Sequence, residues 1–186
     1  ILVKKEVHVW YVEMTDPEKI PEQRQSNPGY DLRKVDTVLP ELNRFLYVAV
    51  GSAWEWNMRL NWTYDDWLTF LDKQDTETWV AYRNGTPVGY FELEKQADGS
   101  TEISYFGVLP EFIGQGYGRS LLEDAIYHAW RLSGQRVWLH TCTLDAPQAL
   151  PNYLSRGLTV FKEEDIEEEV TGELTQPWPK ANKPQP

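Results

Sequence analysis

The stretch Thr101-Glu102-Ile103-Ser104-Tyr105-Phe106-Gly107-Val108-Leu109-Pro110-Glu111-Phe112-Ile113-Gly114-Gln115-Gly116-Tyr117-Gly118-Arg119-Ser120-Leu121-Leu122 decides how this chain is read. A β-prone run ends near a proline and passes through three alternating glycines. It then opens into a helix whose apolar positions Leu121, Leu122, Ala125, Ile126, Ala129 and Trp130 recur with helical period. Such a strand–loop–helix is an anion cradle: glycines let backbone N–H groups approach a phosphate, and the helix N-terminus adds partial positive charge. A nucleotide P-loop is excluded, because it needs Lys and Ser or Thr after its last glycine, whereas Arg119-Ser120 follows here with a different spacing. A dinucleotide fingerprint is excluded as well, since G-x-G-x-G after a meander is not G-x-G-x-x-G inside a parallel βαβ unit.

Upstream, Val7, Val9 and Tyr11 alternate with His8, Trp10 and Val12, which predicts a strand over residues 6–13. Residues 15–29 are polar, with three prolines, and read as a connection; residues 30–36 form a second strand. Pro40 opens a helix carrying Leu42, Phe45, Leu46, Ala49 and Val50, ended by Gly51. After an aromatic loop, Thr63 N-caps a second helix with Asp66 at the capping-box position and Trp67, Phe70 and Leu71 on its face. Strands at 76–83 and 87–95 flank the hairpin signal Asn84-Gly85, and Asp98-Gly99 turns into the strand 101–108. Downstream, Gly134 closes the long helix and a strand covers 136–142. Asp145 is then expected to cap a helix, with Gln148 at its capping-box position, and Gly157 ends it before a short strand at 158–162.

The 186 residues suit one domain over 1–174 and a Pro-rich tail over 175–186. Net charge is −11, which disfavours nucleic acid and anionic membrane as partners and suits a cationic acceptor. No apolar run reaches the length of a membrane span, and Ile1 to Glu6 lack a signal-peptide plan. With one cysteine, Cys142, no internal disulfide forms, so a soluble cytoplasmic protein is expected. One cysteine and three histidines show no zinc spacing, so no metal is expected.

The 101–122 segment resembles motif A of the GNAT superfamily of N-acetyltransferases, [QR]-x-x-G-x-[GA] after a strand ending V-x-P. Gly116 and Gly118 match its glycines, and Ile113 replaces the usual Gln or Arg. A later run, Ala149, Tyr153, Gly157 and Leu158, fits the register of the family's N-x-x-A-x-x-[LF]-Y-x-x-x-G-[FL] helix. There Ala146 stands at the Asn position beside Asp145, Asn152 replaces an apolar residue, and Pro151 intrudes. The resemblance covers about residues 41–162 and implies an α/β (α+β) GNAT acyl-CoA N-acyltransferase fold: a mixed, mostly antiparallel sheet flanked by helices, here with an extra N-terminal strand.

It implies acetyl-coenzyme A as cofactor and an amine of a small molecule or peptide as acceptor. By the same resemblance, Phe106, Gly107 and Val108 pair with the pantetheine arm. Ile113, Gly114, Gln115, Gly116, Tyr117, Gly118, Arg119 and Ser120 hold the pyrophosphate, and Asp145, next to the position of the family's helix Asn, is a further cofactor-binding residue. Val108 N–H is the oxyanion donor and Tyr153 the acid that protonates the leaving thiolate. Glu102, at the start of its strand as in the histone-acetylating branch, Glu92 and His140 are alternative bases. Trp54, Glu55 and Trp56, with Arg59 nearby and Glu92 on the meander, are expected to meet the acceptor through charge and cation–π contacts. Cys142 lacks the context of an acyl-enzyme nucleophile. A non-catalytic module that binds a CoA ester and an enzyme using a longer acyl-CoA are the competing readings. A homodimer contact through the first strand and acidic tail is a further expectation.

Overall fold

The computed structural model describes residues 3–24 and 29–170, so the expected boundary at 174 and the tail lie outside the described residues. Its strands are β1 (Val3–Met14), β2 (Asp31–Lys34), β3 (Thr76–Arg83), β4 (Thr86–Lys95), β5 (Thr101–Val108), β6 (Val137–Cys142) and β7 (Thr159–Val170). The helices are α1 (Pro40–Gly51), α2 (Tyr64–Leu71), α3 (Tyr117–Ser133) and α4 (Ala149–Ser155). All seven strands form one sheet in the order β2-β3-β4-β5-β6-β1-β7, antiparallel except for β5 beside β6.

Local chemistry explains most elements. The Thr63 hydroxyl accepts the Asp66 N–H, and the Asp66 carboxylate accepts the Thr63 N–H at 2.8 Å, which is the expected capping box. Asn84 and Gly85 have φ of 48° and 84°, the left-handed pair that a tight hairpin turn requires. Leu121, Leu122, Ala125, Ile126 and Ala129 on α3 are buried against Phe91, Leu93, Ile103 and Val137 of the sheet. Each large apolar side chain so buried contributes roughly 1.5–3 kcal/mol.

Two expectations need correction. Asp145 does not cap α4; Gln148 is the N-cap residue and makes no side-chain cap bond. The late start puts Pro151 in the first turn, where its missing N–H has no helical acceptor to lose, so no kink follows. The last strand also runs to Val170 rather than residue 162. Its acidic run reads locally as a solvated segment. Antiparallel pairing along β1, with Lys4 beside Glu167 and His8 beside Asp165, makes it a strand. As a result β1 lies inside the sheet, with β6 on one edge and β7 on the other.

Two irregularities shape the site. The β4–β5 register shifts between Glu92 and Leu93, opposite Tyr105 and Ile103, so Ser104 is an extra residue in a bulge. The bulge inverts the alternation of β5. Ile103 and Phe106 pack with the α3 core, whereas Tyr105 packs with the α1 and α2 clusters. Secondly, β5 and β6 pair only at Thr101–Val137 and Glu102–Trp138, then part.

Candidate active site

Where β5 and β6 part, a cleft of about 840 Å³ opens. Phe106, Gly107, Val108, Ile113, Gly114 and Gly118 line one wall of it. Backbone direction explains what this wall offers. The Leu109 N–H is donated to Val88 O across the β4 side at 2.9 Å, so by strand alternation Val108 and Phe106 turn their N–H groups toward the parted β6 side. Gly107 is needed for a close approach, because a Cβ there would collide with Val50 of α1.

Gly116 is the N-cap of α3 with φ 87° and no side-chain cap, a left-handed conformation suited to glycine. The N–H groups of Gly116, Tyr117, Gly118 and Arg119 find no acceptor among the described residues. Open space stands before Gly114 and Gly116, where a Cβ would meet nothing within 4 Å. This cradle fits a diphosphate by backbone donation. Gln115, Gly116, Tyr117, Arg119 and Ser120 do not line the cleft wall. Gln115 donates to Glu111 O at 2.8 Å, Tyr117 stacks on Tyr30, and Arg119 pairs with Glu123 at 3.4 Å.

Tyr153 lines the cleft from α4 with 7% exposure, and its hydroxyl has no hydrogen-bond partner among the described residues. Burial first, and the Asp145 charge second, push its pKa far above the ordinary phenol value, so it stays protonated at neutral pH. The Asp145 carboxylate accepts from Thr141 Oγ1 at 2.6 Å and from the Cys142 N–H at 3.1 Å. It therefore closes the turn after β6 while still lining the cleft. Burial and Asp145 push the Cys142 thiol up to about 11, which keeps it out of the nucleophilic thiolate form.

Across the cleft, the Glu102 carboxylate accepts from Gln96 Nε2 at 3.2 Å and stands 3.7 Å from His140 Nδ1. Burial pushes its pKa up to about 7; the Glu94 charge adds to the rise and Arg59 opposes it. His140 is depressed by burial against the pull of Asp145 and Glu164, which favours its neutral form. Both residues line the cleft and both can take a proton.

Glu92, expected at the acceptor, is corrected by the structure: it is fully buried and does not line the cleft. Its carboxylate accepts from Arg59 Nη1 at 2.6 Å and from Asn43 Nδ2 at 3.0 Å. Arg59, 5% exposed, lies with its guanidinium 4.1 Å from the Phe70 ring, 4.2 Å from Tyr105 and 4.6 Å from Trp62. Desolvation works most strongly against its charge, and Glu92 together with the Tyr105 and Tyr90 hydroxyls more than offsets that cost. The pair thus anchors the α1–α2 connection onto the sheet. Trp54, Glu55 and Trp56 in that connection do line the cleft, and Glu55 is held at φ 57° with Asn57 Nδ2 donating to it at 3.4 Å.

The sequence reading missed Tyr11, Glu94, Tyr105, Ile166 and Glu168, which complete the walls. Tyr11, Ile166 and Glu168 arrive through the β1–β7 ladder, which no local pattern announces. The Tyr11 hydroxyl donates to Glu164, and its ring lies 5.6 Å from that of His140. Among the described residues no group of three His, Cys, Asp or Glu is placed to hold a metal ion, and no helix is long and apolar enough to cross a membrane.

Comparison with known proteins comes to the same architecture. Solved structures similar to this one include a GCN5-related N-acetyltransferase from Sphaerobacter thermophilus, 22% identical, TM-score 0.63, covering 92% of this chain and 54% of that one. Another, from Kribbella flavida, is 19% identical, TM-score 0.61, covering 91% and 60%. The ribosomal-protein-S18-alanine N-acetyltransferase of Escherichia coli is 13% identical, TM-score 0.56, covering 76% and 94%. The present chain spans about half to three fifths of the first two. No curated protein matches the sequence. At these identities the likeness is one of fold. The sequence profile of the acetyltransferase (GNAT) family, however, matches residues 36–158, most of the chain, and the chain belongs to that family.

Proposed function

We propose that the chain is an acetyl-coenzyme A-dependent N-acetyltransferase acting on a primary amine by direct transfer in a ternary complex. The observation that carries this reading is the parted β5–β6 pair, with Val108 N–H turned into the gap, Tyr153 on one side and Glu102 on the other. When bound, the coenzyme supplies a thioester whose acyl carbon bonds to the amine nitrogen as the carbon–sulfur bond breaks. The N–H groups from Gly116 to Arg119 hold its diphosphate, and Phe106 to Val108 offer strand-like pairing to its arm. Val108 N–H stabilises the charge that develops on the carbonyl oxygen. Glu102 takes the proton that leaves the amine, with His140 beside it as a second acceptor, and the Tyr153 hydroxyl gives a proton to the sulfur. A free, unpaired Cys142 is in keeping with a cytoplasmic setting for this enzyme.

Thiol release from acetyl-coenzyme A in the presence of an amine panel tests the reading. The Glu102 carboxylate accepts a proton only when ionised, so kcat/KM should climb with pH through about 7 and then level. Glu102→Gln should lower the rate by about 10²–10⁴ and abolish that limb. Retention of both would remove Glu102 from the base role. Coenzyme binding without thiol release to any amine would favour the non-catalytic module.

A further inference from the structure

The cradle before α3 has to hold a diphosphate in a chain whose net charge is −11. Position 113, where the family motif carries Gln or Arg, is Ile113 here; it is 42% exposed, lines the cleft, and offers neither a donor nor a charge. The cation inside the motif run is Arg119, and its guanidinium pairs with Glu123 at 3.4 Å. Glu123 also pairs with Arg24 and, at 3.3 Å, with Arg156. That carboxylate stands about two helical turns beyond Gly116, so it draws all three arginines along the flank of α3 and away from the cradle.

A different arginine reaches the loop. The β3–β4 hairpin turns at Asn84-Gly85, with Arg83 opposite Thr86. Pairing of β4 with β5 sets Gly89 against Val108, and Leu109 N–H is donated to Val88 O at 2.9 Å, so the hairpin tip projects past the end of β5. There Arg83 Nη1 donates to Gln115 Oε1 at 3.5 Å, while Gln115 Nε2 donates to Glu111 O at 2.8 Å. The guanidinium is thereby held against the residue immediately before Gly116. A contact of 3.5 Å to a neutral amide is weak, so a charged acceptor displaces it readily. Arg83 is exposed and has no ion-pair partner among the described residues. Space is open around it as well: a Cβ on Gly85, Gly114 or Gly116 would meet nothing within 4 Å.

Resting on the coenzyme-dependent reading, we infer that Arg83 is the cation of the diphosphate site, exchanging the Gln115 amide oxygen for diphosphate oxygens and supplying from the β3–β4 hairpin the side-chain contact that Ile113 lacks. The division of labour is physical. Backbone N–H groups from Gly116 to Arg119 give fixed partial charges, and the guanidinium adds a full charge in a planar fork that matches phosphate oxygens. Nothing in the motif itself announces this residue, because it lies on a different hairpin.

Calorimetric titration of coenzyme A and of 3′-dephospho-coenzyme A tests the assignment, since both ligands carry the diphosphate and only the first carries the 3′-phosphate. Arg83→Gln should weaken both by the same factor, about fivefold to tenfold at low salt and less as ionic strength rises. Adding Ile113→Arg to the Arg83→Gln protein should recover most of that loss, because the charge returns to the same anion from the motif's own position. Unchanged affinity in Arg83→Gln would overturn the inference. A loss confined to coenzyme A would move Arg83 to the 3′-phosphate, and a loss that Ile113→Arg cannot repair would reduce it to a structural part of the hairpin; either result removes it from the diphosphate. All three leave acetyl transfer standing, since thiol release is measured separately. Failure of the unsubstituted protein to bind either ligand would remove the coenzyme reading itself, and Arg83 with it.

Discussion

The two sides of the cleft are built in opposite ways. The donor side, residues 106–118, is a continuous piece of chain whose functional groups are backbone N–H donors set by a bulge, glycines and one helix start. The acceptor side joins the α1–α2 connection, the start of β5, the end of β6 and the β1–β7 ladder, and its functional groups are side chains. Backbone donors tolerate sequence change because every residue except proline carries one. Side-chain constellations do not, since each group depends on partners far away along the chain. On the proposed reading, coenzyme binding therefore sits in the local half, while proton transfer and acceptor selectivity depend on the assembled half.

That contrast can be broken or sharpened by experiment. The largest effect is expected at the anchor of the acceptor side. Glu92→Leu leaves Arg59 buried without its partner and should cost about 3–5 kcal/mol of folding stability. Denaturant unfolding measures this, and a loss below 1 kcal/mol would show that the pair is not what holds the connection down. Next, Tyr153→Phe should reduce kcat by roughly 10² with acetyl-coenzyme A affinity nearly unchanged, because the hydroxyl is needed only as the sulfur departs. An unaltered kcat removes it from the mechanism. The smallest effect belongs to the cradle itself: Gly116→Ala imposes a left-handed backbone on a residue with a Cβ, at about 1–2 kcal/mol. Calorimetry should read it as weaker coenzyme binding with an unchanged acceptor KM; an equal rise in both would argue that the two sides are not separable.

Legibility followed the same divide. The capping box at Thr63 and Asp66, the Asn84-Gly85 hairpin and the Gly116 helix start were readable, because each is decided by residues within a few positions of one another. Asp145 reads as a cap because an acid before a helix satisfies nearby N–H groups in either role; its bonds go instead to the turn behind it. Glu92 reads as an alternative base and acceptor contact, since nothing local reveals that Arg59, distant along the chain, lies across it. The length of β7 is hidden from the sequence for a related reason: an acidic run is a poor strand until a partner with Val7 and Val9 is laid beside it.

The order of strands and helices, the anion cradle and the place of the long α3 were determined by the amino-acid sequence alone, because turns, caps and periodicity are short-range physics. Only the tertiary structure decided that β1 would slot between β6 and β7, that Glu92 would be sealed against Arg59, and that Glu55 and Glu168 would line one cleft. Those outcomes depend on which distant segments exclude water together, and that is a property of the whole folded chain rather than of any window along it.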